Sequence, residues 1–172
     1  MNTYVIFLRG INVGGNKKVE MKKLRSEFEK LGYTNVSTYI NSGNVIFESQ
    51  KKPETKFLEK FLKKIFGFEI RILIKTKSEM ARIVKAIPEE WQNDPEQRTD
   101  VAYLFKEIDT AKIVDELPVN KEFVDICYIK GALFWNLKRK NLNKSRLGKL
   151  IGHKTYQNMT VRNVNTARFL AK

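Results

Sequence analysis

The chain has 172 residues, enough for one generous domain or two small ones sharing a core. A hydrophobic share of 42% with four prolines describes a folded globule and excludes a disordered chain. A single cysteine, Cys127, excludes an intramolecular disulfide. A single histidine, His153, removes the usual zinc and copper ligand sets, and the formal net charge is +14.

The apolar neighbours of Cys127 predict a buried structural thiol. No apolar run approaches the roughly 18–20 residues that span a bilayer. The first residues read as a strand, without the layout of a signal peptide. The expectation is a cytoplasmic protein with no membrane partner.

The charge is uneven. Residues 1–87 carry 18 basic and 8 acidic side chains, a net of +10. Residues 88–137 carry 5 against 11, a net of −6, and residues 138–172 carry 10 basic and none acidic. Two segments at +10 favour an anionic partner through their summed field, although a lysine-rich surface also serves solubility.

In chain order, residues 3–8 form a β-branched and aromatic run, a strand with apolar side chains on both faces. The other half of the chain, or a second copy in a homodimer, would cover the face that helices leave open. Residues 9–17 then form a glycine-rich loop. Met21, Leu24, Phe28 and Leu31 recur at helical spacing, and Gly32 marks a stop.

Residues 36–40 and 45–47 read as two strands joined by a hairpin turn around Gly43. Pro53 is placed to open a helix at its first position, with Phe57, Leu58, Phe61, Leu62 and Ile65 as its apolar face. Ile70, Ile72 and Ile74 form the next strand. The order is βαββαβ, the split ferredoxin-like unit, or alpha-beta plait.

Thr76-Lys77-Ser78-Glu79 has capping-box spacing and starts a connecting helix that Pro88 stops. The acidic stretch 89–100 is the linker candidate. Residues 101–105 are a strand, Asp109 is placed to cap a short helix, and residues 124–129 and 133–137 form a second hairpin. Asn143 is placed to cap a helix ending at Gly152, and Thr160 to cap a last one.

The order repeats, and Val5-Ile6-Phe7-Leu8 echoes Val101-Ala102-Tyr103-Leu104. The fold class read here is α+β: two ferredoxin-like subdomains from an internal duplication, 1–75 and 99–172, joined by residues 76–98.

The loop Arg9 to Lys17 carries the clearest candidate site. Gly10, Gly14 and Gly15 allow sharp turns and close approach of a ligand, and amides near a helix start attract anions. Walker-A spacing fails because Asn16 precedes Lys17 and no Ser or Thr follows, and the dinucleotide fingerprint is absent. A tight strand-to-helix turn and an anion-binding loop both fit.

Ser42 and Asn44 suit a hairpin turn, which the βαββ order is expected to place at the sheet end opposite the loop. Arg162 and Asn163, read as the first turn of the last helix, set a cation against the helix dipole. His153 reads as a capping or surface residue. No catalytic triad, carboxylate pair or metal spacing stands out, and no cofactor is implied. Phe7, Phe47, Tyr103 and Phe134 lie on strands but lack the RRM signature, and read as core.

Three motifs carry a resemblance. Leu8-Arg9-Gly10-Ile11-Asn12-Val13-Gly14-Gly15, Tyr39-Ile40-Asn41-Ser42-Gly43-Asn44-Val45-Ile46-Phe47 and Thr160-Val161-Arg162-Asn163-Val164-Asn165-Thr166 resemble the bacterial family called domain of unknown function 1697. That family usually has an aromatic, typically Trp, where this chain has Val164.

The resemblance implies two ferredoxin-like subdomains and brings no activity, substrate or cofactor. It marks Arg9, Asn12, Gly14, Gly15, Ser42, Asn44, Arg162 and Asn163 as motif positions. The leading functional expectation is an anion-binding protein, with nucleic acid as the favoured partner. The alternatives are an enzyme or sensor for a phosphorylated small molecule, and a self-associating scaffold.

Overall fold

Alternating apolar side chains in β1 (Asn2–Leu8) put Tyr4, Ile6 and Leu8 into a core with helix residues, while Val5 and Phe7 on the other face are fully buried too. The computed structural model describes residues 1–172 and divides into two compact units, Met1–Met80 and Ala81–Lys172. Each holds a four-stranded antiparallel sheet with helices packed on it, the ferredoxin-like arrangement expected.

In the first unit β1 is followed by α1 (Met21–Lys30), β2 (Thr34–Tyr39), β3 (Asn44–Ser49), α2 (Thr55–Phe66) and β4 (Ile72–Thr76), in sheet order β2-β3-β1-β4. Leu24 and Phe28 of α1 and Leu58 and Leu62 of α2 are fully buried. Each such side chain stabilises the fold by about 1.5–3 kcal/mol. Pro53 does not open α2. The helix begins two residues later at Thr55, with extended Glu54 at its N-cap position and Pro53 buried just before it.

The connecting helix α3 (Lys77–Lys85) starts on a complete capping box. Thr76 Oγ1 accepts from the Glu79 amide at 3.2 Å, and Glu79 Oε2 accepts from the Thr76 amide at 2.8 Å.

The second unit continues with β5 (Gln97–Leu104), α4 (Ile113–Glu116), β6 (Asp125–Ile129) and β7 (Ala132–Lys138). Three 3-10 turns follow at Arg139–Asn141, Leu147–Leu150 and Lys154–Asn158, then β8 (Met159–Asn163) and α5 (Val164–Ala171). The sheet order is β6-β7-β5-β8.

Strand β5 starts four residues earlier than the apolar pattern announces. Its polar start is paired with β7 and internally satisfied: Asn136 Nδ2 donates to Thr99 Oγ1 at 2.7 Å and to Gln97 Oε1 at 2.6 Å.

Four further expectations are corrected. Asp109 caps no helix; its carboxylate accepts from the Gly131 amide at 2.7 Å and the Tyr128 hydroxyl at 3.0 Å, tying its loop to the second hairpin. Asn143 starts no α-helix; left-handed Arg146, at φ 57°, breaks that segment into 3-10 turns. Thr160 is a strand residue, and α5 is capped by Asn163, whose side chain accepts from the Thr166 amide at 2.8 Å. Cys127 lies exposed on edge strand β6; partial burial, then the Asp125 charge, push its thiol pKa up.

The duplication is visible bond by bond. Leu8 donates its amide to Gly43 O at 2.8 Å, and Leu104 donates to Gly131 O at 3.1 Å. Arg9 donates to Arg71 O and Phe105 to Asn158 O, both at 2.9 Å. Val5 pairs with Lys75 as Val101 pairs with Arg162, so the cap residues Thr76 and Asn163 correspond. The units differ most where α2 of the first is replaced by the 3-10 turns of the second.

Candidate functional site

The β1–α1 loop and the β2–β3 turn meet at one corner of the first unit. Asn12 Nδ2 donates to Asn41 O at 2.8 Å and to Val19 O at 3.0 Å, while its Oδ1 accepts from the Val19 amide at 2.8 Å. This overturns the expectation that loop and turn lie at opposite sheet ends. In a split βαβ unit β1 and β2 both run antiparallel to β3, hence parallel to each other, so their C-terminal ends share one edge.

Within the corner, residues 12–17 form a small hairpin. Asn12 donates its amide to Lys17 O and Asn16 donates to Val13 O, both at 3.2 Å, around Gly14 and Gly15 at φ 59° and 78°. Positive φ at both central residues is the type I′ turn that glycine accommodates without strain. The amides of Asn12, Asn16 and Val19 are spent within the loop, which leaves those of Gly14 and Gly15 as donors. Gly14, Gly15, Asn16 and Lys17 are exposed, and Arg9 is half-buried.

Ser42 and Asn44 are internal to the turn. Fully buried Asn44 donates through Nδ2 to Ser42 Oγ at 2.9 Å and to Tyr39 O at 3.0 Å. The structure thus brings together Arg9, Asn12, Gly14, Gly15, Asn16, Lys17, Ser42 and Asn44 at one corner.

Arg162 and Asn163 belong to the second unit. Arg162 lies on a strand, so the conflict with a helix dipole does not arise. It is buried, and its Nη1 donates to Thr160 Oγ1 at 3.0 Å and to Val161 O at 2.8 Å. Burial pushes its pKa down to about 10, against the neighbouring Tyr103 and Tyr156. His153 caps the last 3-10 turn, with its Nδ1 2.9 Å from Thr155 Oγ1.

A second feature of the first unit escaped the sequence reading. Lys56, Lys60 and Lys63 of α2 line a groove of about 400 Å³ against Arg71, Ile70, Glu59 and Glu69. Their spacing of four and three residues places them on one helix face, a signal that was present in the sequence. Glu59 is engaged with the Ile72 amide at 2.9 Å, and Glu69 with Lys63 at 2.9 Å. The Glu69 carboxyl is held below its ordinary range by that hydrogen bond, by the Lys63 charge and, less, by Lys17. Phe57 on the same helix is 49% exposed.

The four strand aromatics are fully or almost fully buried: Phe7, Phe47 and Tyr103 at 0% exposure and Phe134 at 1%. A sheet-face stacking platform of the RRM kind is therefore absent. No group of three or more His, Cys, Asp or Glu side chains gathers to hold a metal ion. No helix is long and apolar enough to cross a membrane.

Among solved structures the chain resembles the conserved bacterial protein SP0830 from Streptococcus pneumoniae, with 26% identity and a TM-score of 0.81. That match covers 99% of this chain and 97% of the other. No curated protein matches the chain. The model of the family described as "Protein of unknown function (DUF1697)" matches residues 1–135, which include the first two motifs and leave Arg162 and Asn163 outside. With more than half its length matched, the chain belongs to the DUF1697 family.

Proposed function

We propose that this protein binds anions, with single-stranded nucleic acid as the favoured ligand, along the α2 groove of its first unit. The carrying observation is the row Lys56, Lys60 and Lys63 facing Arg71 across one groove, on a helix that also exposes Phe57. Cations at successive helical turns match a phosphate backbone, and an exposed aromatic on the same helix offers a stacking face to any base. The net charge of +14 adds a long-range attraction. Lys63 is paired with Glu69 at 2.9 Å, so the field of the groove rests on Lys56, Lys60 and Arg71, which outnumber the remaining carboxylate, Glu59.

Fluorescence anisotropy with labelled single-stranded RNA and DNA at about 50 mM salt, where phosphate contacts are strong, tests this. The wild-type chain is expected to bind, and Lys56→Glu with Lys60→Glu to weaken binding at least about tenfold. Absence of binding at that salt overturns the proposal.

A small phosphorylated ligand at the corner loop is the second reading. It is favoured by Arg9, Lys17 and the Gly14 and Gly15 amides standing at one end of the sheet. A thermal-shift screen of nucleotides and sugar phosphates checks it: a stabilising hit that is lost on Arg9→Ala supports it, and a screen without such a hit rejects it.

A further inference from the structure

We infer that the cleft left between the sheet of the second unit and its 3-10 turns is a binding site for a small amphipathic anion, one carboxylate or phosphate head on an apolar body. In the first unit the segment between the third and fourth strands is α2, and Leu58 and Leu62 seal the sheet. The matching segment of the second unit is broken into 3-10 turns, and an open cleft of about 510 Å³ remains. That volume falls in the range of small-molecule sites.

The cleft is lined by both classes of side chain such a ligand needs. Trp135 of β7 and Val161 of β8, on either side of β5, supply apolar surface. Leu142 and Ile151 flank it and are 38% and 69% exposed, an apolar surface that folding alone leaves uncovered. Arg98, Arg146 and Lys149 also line it, and no carboxylate does.

Charge complementarity therefore selects the head group as anionic, and the apolar lining selects the body. Asp100, on the same sheet, is buried and answered by Arg98 Nε at 2.6 Å, so Arg146 and Lys149 are left to meet the ligand. Arg146 holds a left-handed backbone at φ 57°, a conformation glycine adopts more easily. Arg146 thus stands on the cleft wall at a conformational cost that glycine would avoid.

Isothermal titration of the full chain with decanoate, decyl phosphate, decanol and decyltrimethylammonium tests the inference. Saturable one-to-one binding of decanoate or decyl phosphate is expected, with decanol at least tenfold weaker and the cation silent. The stronger of the two anions identifies the preferred head group.

Arg146→Gly removes the cation while relaxing the backbone, so it is expected to keep or raise thermal stability and still weaken binding at least threefold. Ile151→Asp should weaken it further, whereas Lys60→Ala in the other unit should leave it unchanged. Equal binding of all four probes, binding that Arg146→Gly leaves intact, or no binding by either anion overturns the inference.

Discussion

The Asn12 side chain bonds the Asn41 carbonyl at 2.8 Å, fastening the first loop of the protein to its first hairpin across 29 residues of chain. The same side chain satisfies both the amide and the carbonyl of buried Val19. Asn12 also sits at φ 55°, a left-handed position that Asn tolerates and alanine resists. Asn12→Ala should therefore destabilise the fold by about 2–4 kcal/mol. Asn12→Gly, which keeps the backbone and loses the bonds, should cost about 1 kcal/mol less. Urea denaturation of the two variants measures both effects.

Gly43 faces the loop from the other side of that corner. A Cβ there would lie 2.7 Å from Ile11 Cδ1 and 2.8 Å from Leu8 Cβ, and φ is +75°. Gly43→Ala combines a clash with buried side chains and an unfavourable backbone, so a loss of about 2–4 kcal/mol is expected. Gly15→Ala, with open space around its Cβ, should cost only the backbone strain of about 1 kcal/mol. Near-equal losses in thermal denaturation would show that the corner is looser than described.

The first unit was largely legible in the sequence because its apolar periodicities are unbroken and its turns carry glycine. The second unit was less so. Its strand β5 begins with Gln97, Arg98 and Thr99, whose polarity imitates a linker although Asn136 satisfies Gln97 and Thr99 and Asp100 answers Arg98. Strand β8 was hidden because Thr160 resembles a helix cap, while the true cap, Asn163, stands three residues on. The meeting of the β1–α1 loop with the β2–β3 turn is not legible from element order alone; it follows from the parallel run of β1 and β2 on either side of β3. The α2 lysine row shares its helix with the stronger apolar pattern of Leu58 and Leu62, which dominates the periodicity of that segment.

The corresponding caps give a paired test of the duplication. Thr76 and Asn163 occupy equivalent register positions and each accepts from the amide three residues on. Thr76→Ala and Asn163→Ala should each cost about 1 kcal/mol in chemical denaturation. Thr76→Asn and Asn163→Thr should cost less than half of that, because each keeps a capping oxygen.

Acid dependence should report on Asp100. Burial raises its carboxyl above the ordinary 3.8, against the charge and hydrogen bond of Arg98. The Trp135 indole N–H also opposes that rise, from outside strict hydrogen-bond geometry. A carboxyl with a folded pKa above its unfolded value binds its proton more tightly in the fold, so its contribution to stability falls as pH rises through that window. The stability of wild type minus that of Asp100→Asn should decline from about pH 3.8 upward and then level. A difference that grows with pH would mean that Arg98 outweighs burial.

The salt dependence of single-stranded RNA binding tests the central claim most directly. Two or three phosphates held by Lys56, Lys60 and Arg71, with Lys63 paired to Glu69, predict a slope of log K against log salt of about −1.4 to −2.1. Lys56→Ala with Lys60→Ala should reduce the magnitude of that slope by about 1.4 as well as weaken binding. A slope unchanged in the double variant would place the nucleic acid elsewhere and contradict the account.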